Sequence, residues 1–145
     1  MGIGERIAGK RVYFDTNIFI YVLEGFTEAA AQLHEIRAAL LTGSCEVFTS
    51  ELTLCELLVP HFRSNNLERV RQYRGFLEKS GAVTLLATSR LTYLRSSDYR
   101  GQFGLKTPDA IHVASATEAE CEIFVTNDAN LRLPASISRA TFFES

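Results

Sequence analysis

No run of about 18 uncharged apolar residues occurs in this chain, so no part of it reads as a membrane-spanning helix. The opening "MGIGERIAGK" lacks the apolar core of a secretory signal. Cysteine is scarce: Cys45, Cys55 and Cys121 are odd in number, far apart and free of any CxxC pairing, which reads as reduced thiols in or near the core. His34, His61 and His112 make no HExxH or Cys/His pattern, which argues against zinc. With three prolines, 46% hydrophobic residues and no repeat or low-complexity segment, the chain is not of the disordered class. What remains is a soluble cytoplasmic protein without a membrane partner, and 145 residues fit a single domain, 1–145, with a substantial core.

The net charge of −2 hides an uneven distribution. Residues 63–106 hold nine basic side chains (Arg63, Arg69, Arg71, Arg74, Lys79, Arg90, Arg95, Arg100, Lys106) against three acidic ones, and the remainder is acidic. Such a segment is either a solvated helical face or a cationic surface for a phosphate backbone, whose neutralisation releases counterions.

Short apolar, β-branched or aromatic runs recur at 11–14, 46–49, 82–86, 122–126 and 140–143 and read as strands. Helical spacing occupies 27–42, 51–63, 66–79, 90–97 and 108–119. Alternation of the two predicts an α/β fold: a parallel sheet of four to five strands with helices on both faces. Pro60 is expected to end or kink its helix, and "YRGQFG" to be a loop. In "LKTPDAIHVASA" Thr107 reads as an N-cap and Pro108 as the first helical residue, with Ile111, Val113, Ala114 and Ala116 buried. An exposed apolar helical face within 20–60 is the place to look for a dimer.

Ligands of parallel sheets bind beyond the carboxyl ends of the strands. Asp15, in "RVYFDTN", and Asp128, in "EIFVTND", each follow a strand, although either alone is explained as a cap or Asx-turn residue. Glu56 lies mid-helix with Leu52 and Val59 on its own face, where an ionised carboxylate is costly unless paired or metal-bound. Asp109 sits in the first turn of its helix, where the dipole alone accounts for an acid. Together the four can meet at one sheet edge, and oxygen-only ligation suits Mg²⁺ or Mn²⁺ and phosphoryl chemistry.

These segments resemble the PIN-domain nucleases and, among them, VapC-type toxins of toxin–antitoxin pairs. "VYFDTNIFIYVLE", "TSELTLCELL", "LKTPDAIHVASA" and "FVTNDANL" match that family's motifs in order and spacing. The resemblance implies that Asp15, Glu56, Asp109 and Asp128 are catalytic metal ligands, with Asn17 and Thr126 as supporting polar residues. It further implies a metal-dependent endoribonuclease that leaves 5′-phosphate and 3′-hydroxyl ends, an RNA substrate such as tRNA or rRNA, a cognate antitoxin and a homodimer. His112 reads as a structural hydrogen-bonding residue, and substrate choice is assigned to a loop at 97–106. The alternatives are a PIN nuclease without an antitoxin and a module that binds RNA or protein without cutting. A haloacid-dehalogenase-like phosphatase is disfavoured because Asn17 stands where its second acid belongs.

Overall fold

A computed structural model describes residues 2–142. Among them are five strands, β1 (Arg11–Phe14), β2 (Glu46–Ser50), β3 (Thr84–Leu86), β4 (Ile123–Thr126) and β5 (Ser138–Thr141). Seven α-helices accompany these: α1 (Ile3–Ile7), α2 (Thr16–Glu24), α3 (Ala30–Thr42), α4 (Glu51–Arg63), α5 (Leu67–Lys79), α6 (Arg90–Phe103) and α7 (Thr107–Glu118). Every strand pair is parallel, in the order β3-β2-β1-β4-β5.

Because side chains alternate along a strand, each strand feeds two cores. Val12, Phe14, Val47, Ile123 and Val125 pack with residues of α1 to α5, such as Ile7, Phe19, Ile36, Leu57 and Leu77. Tyr13, Phe48 and Phe124 point the other way, against Tyr99 of α6 and Ala110, Val113 and Ala114 of α7. Helices therefore cover both faces, as the alternation of strands and helices predicts.

Several local expectations need correction. Helices α1 and α2 fall outside the stretches with clear helical spacing; α2 is rich in β-branched and aromatic residues, which carry weak helix propensity, and Asp15 caps it. Helix α6 does not stop at 97 but runs on through most of "YRGQFG" to Phe103, so the expected loop at 97–106 is largely helical. Its end is set by Gly104, at φ 69°, a left-handed conformation that glycine adopts without a Cβ clash. Pro60 does not end α4, which continues to Arg63. Helix α7 is N-capped by Lys106, so Thr107 is its first residue and Pro108 its second, a position whose N–H would have no helical partner in any case. Strand β5 begins two residues before the expected 140, hidden in the sequence by polar Ser138 and Arg139, and position 143 lies outside the described residues.

Burial also departs from expectation. Cys121 is buried and Cys45 half-buried, but Cys55 is exposed on α4. Between residues 20 and 60 the exposed large apolar side chains are Leu41 on α3 and Val59 on α4, one on each helix; the others, Phe62, Leu67, Leu91, Tyr93 and Leu94, lie later.

Burial should decide the cost of truncation. Ile36→Ala, in the core of α3, is expected to destabilise by about 2–5 kcal/mol in urea unfolding. Leu41→Ala, five residues on and 88% exposed, should stay within about 0.5 kcal/mol of the parent. Equal losses at the two positions would contradict this packing.

Candidate active site

Strand order reverses between β1 and β4, and in open parallel sheets the crevice beyond that reversal receives ligands. Asp15 stands at the end of β1 as the N-cap of α2, its Oδ1 accepting from the Thr16 N–H at 2.9 Å. Fully buried Thr126, the last residue of β4, donates through Oγ1 to Asp15 Oδ2 at 2.8 Å and accepts from the Asp128 N–H at 3.1 Å. One hydroxyl thus ties both strand ends together. Asp128 is exposed and closes a turn by accepting from the Asn130 N–H at 2.9 Å.

Glu56 reaches the same crevice from α4, but not from an apolar face. Val59 is 44% exposed and Leu52 half-buried, and α4 buries Thr53 and Leu57 instead. Its Oε1 accepts from Thr16 Oγ1 at 2.7 Å and lies 2.7 Å from His112 Nε2. His112, only 2% exposed, places Nδ1 2.7 Å from the Tyr13 hydroxyl. Asp109, in the first turn of α7, completes the group.

A pocket of about 410 Å³ is lined by Asp15, Thr16, Asn17, Ile20, Glu56, Asp109, His112 and Asp128. All four acids singled out in the sequence therefore meet, and no lysine or arginine lines the pocket with them. Asn17 also lines it, exposed and without a hydrogen bond to any of the acids, whereas Thr126 binds two of the residues concerned. A larger hollow of about 560 Å³ between Leu41, Phe76 and Ala82 carries only Cys45 and Glu46 as ionisable groups, so chemistry rather than size picks out the acidic pocket.

The electrostatics reflect the crowding. Burial, then the charge of Asp15, raises the Asp109 carboxyl above its ordinary value; Asp128 and Glu56 add to this and His112 opposes it. Burial also works to raise Glu56, but hydrogen bonds from His112 and Thr16, with attraction to His112, outweigh it and leave the carboxyl below its ordinary value. Burial lifts the Tyr13 hydroxyl well above the usual phenol range.

The donor set suits a hard divalent cation, since four carboxylates line one pocket with no lysine or arginine among them. Among the described residues, however, no three His, Cys, Asp or Glu side chains stand close enough to hold one ion as placed. Asp15 and Glu56 are held by hydrogen bonds from Thr126, Thr16 and His112.

Thr16, Tyr13 and Ile20 carried no signal of their own in the sequence. Thr16 directly follows Asp15, which is the one hint available. His112 does act as a hydrogen-bonding residue, but its partners Glu56 and Tyr13 lie 56 and 99 positions away, beyond the reach of local spacing.

The raised Asp109 carboxyl has a consequence for the metal-free protein. A folded-state value above the unfolded one of about 3.8 favours the fold at low pH, and that advantage is lost as pH rises through the folded value. Asp109→Asn is therefore expected to raise the Tm in EDTA at neutral pH, with the gain disappearing towards pH about 3, below the ordinary aspartate value. A variant that melts lower than the parent at neutral pH would show that Asp109 is not under this strain.

The PIN domain family model matches residues 12–136. No curated protein matches the chain. Among solved structures, a toxin–antitoxin complex from Klebsiella pneumoniae contains a similar chain at 24% identity and TM-score 0.65, covering 92% of this chain and 99% of that one. VapBC2 from Rickettsia felis, bound to a promoter DNA fragment, is similar at 14% identity and TM-score 0.69, covering 90% and 98%. Mycobacterium tuberculosis VapC20, described as a toxin cleaving the sarcin–ricin loop, is similar at 15% identity and TM-score 0.62, covering 83% and 92%. At these identities the likeness speaks for the fold. The family match runs from β1 past the last of the four acids, and on that extent the chain belongs to the PIN domain family.

Proposed function

We propose that this chain, folded as one domain over 1–145, is an endoribonuclease that hydrolyses RNA phosphodiester bonds to 5′-phosphate and 3′-hydroxyl ends. The observation that carries the reading is the meeting of four carboxylates, from two strand ends and two helices, in one pocket with no lysine or arginine in its lining. Asp15, Glu56, Asp109 and Asp128 would hold Mg²⁺ or Mn²⁺. The cation supplies an activated water and neutralises charge at the scissile phosphate.

The remaining work falls to the chain itself. Thr126 orients Asp15 and the loop that bears Asp128, while Thr16 and His112 orient Glu56. Asn17, exposed in the pocket lining, is free to meet substrate. Arg63, Arg71, Arg74, Lys79, Arg90, Arg100 and Lys106 are exposed outside the pocket and would supply backbone affinity for a structured RNA such as tRNA or rRNA. The likeness to solved toxin–antitoxin complexes supports a toxin with a cognate antitoxin partner, and the proposal extends to a homodimer.

One observation favours a second reading, a module that binds RNA or protein without cutting: among the described residues no three ligands converge. Cleavage assays separate the two. With tRNA and rRNA as substrates, Mg²⁺ or Mn²⁺ should support cutting, EDTA should abolish it, and Asp109→Asn should lower it by about 100-fold or more, the upper end of what loss of a mere supporting residue costs. Binding unaffected by EDTA, with every RNA left intact, would make the non-cleaving module the better description. Mn²⁺ should also raise the Tm, because a cation bound only by the folded state stabilises it; at 100 times its Kd the gain is about 2.7 kcal/mol. An unchanged Tm at millimolar Mn²⁺ counts against the metal site itself.

A further inference from the structure

We propose that Tyr13, buried in β1 and absent from the pocket lining, is a positioning residue that acts through His112 to decide which oxygen of Glu56 is left for a cation. The proposal rests on the metal-site reading above.

The geometry starts at Glu56. Its Oε1 has two partners, Thr16 Oγ1 and His112 Nε2, both at 2.7 Å. A carboxylate oxygen offers about two lone-pair sites, so two donors fill it and leave Oε2 as the free oxygen. That count holds only if Nε2 carries a proton. A bare Nε2 would face Oε1 lone pair to lone pair.

The other side of the ring is matched to that tautomer. Nδ1 lies 2.7 Å from the Tyr13 hydroxyl, a group that can donate or accept, and the proposal gives it the donor's role. In a neutral imidazole one nitrogen donates and the other accepts, so a ring that donates from Nε2 to the acceptor-only carboxylate leaves Nδ1 to accept from the Tyr13 hydroxyl. Tyr13 is itself held firmly, with no solvent exposure and its ring stacked on Phe124 at 5.0 Å. A hydroxyl on the central strand is thus coupled through one imidazole to the presentation of an acid on α4.

Tyr13→Phe keeps the stacked ring and removes only the hydroxyl. Two measurements on the full chain test the proposal. The ¹⁵N spectrum of the metal-free parent at about pH 8, where a free imidazole is neutral, should show His112 protonated at Nε2 and bare at Nδ1. The reverse pattern, or two protonated nitrogens, overturns the assignment, and this arm needs no variant to fold. The second measurement is the affinity for Mn²⁺ alone, in a cycle of parent, Tyr13→Phe, Glu56→Gln and the double variant. Tyr13→Phe should weaken Mn²⁺ binding by about 10-fold or more, the range for outer partners of a ligand, and should add nothing in the Glu56→Gln background. Undiminished affinity in Tyr13→Phe, or the same loss with Gln at 56, overturns the coupling. A parent that binds no Mn²⁺ removes the metal reading, while the ¹⁵N pattern still decides the tautomer.

Discussion

Like charges crowded at one sheet edge are the constraint around which this molecule is arranged. Four carboxylates share a pocket of about 410 Å³ with no lysine or arginine in its lining, and repulsion together with desolvation acts against keeping them all ionised. Hydrogen-bond donors take up part of that cost. Thr126 and the Thr16 N–H serve Asp15, while Thr16 Oγ1 and His112 serve Glu56. Asp109 has no such donor, and its carboxyl is the one raised.

The fold supplies what the donors do not. A parallel sheet sets its strand ends and the helix N-termini that follow them on one side, and those termini favour negative charge. Asp15 caps α2, and Asp109 sits in the first turn of α7. Helix α7 shows how support and site share one segment. Ala110, Ile111, Val113, Ala114 and Ala116 are buried, so the helix cannot shift without disturbing the core, and Asp109 and His112, three residues apart on one face, are held fast at the pocket.

Much of this was legible in the sequence. The runs of β1, β2 and β4 are short, largely apolar and rich in β-branched and aromatic residues, as buried strands of a parallel sheet are. Asp15 and Asp128 follow such runs directly, so their place at the carboxyl edge came from local pattern. Helix α2 was not legible, because the Ile, Phe, Tyr and Val that bury it against the sheet are residues of low helix propensity. The end of α6 was also obscured, because Gly101 reads as a breaker while Gly104 is the residue that adopts the left-handed turn.

By itself the sequence determined the layered α/β architecture and the four acids, since hydrophobic period and an acid next to a strand end are local properties. Only the tertiary structure decided who serves each acid. The partners of His112 are 56 and 99 positions away, and Thr126 reaches Asp15 across 111 positions. Such contacts arise from strand order and helix packing, which no local period encodes. Glu56 makes the difference plain: its neighbours in sequence suggest an apolar face, yet packing turns that face towards solvent and gives the carboxylate to Thr16 and His112.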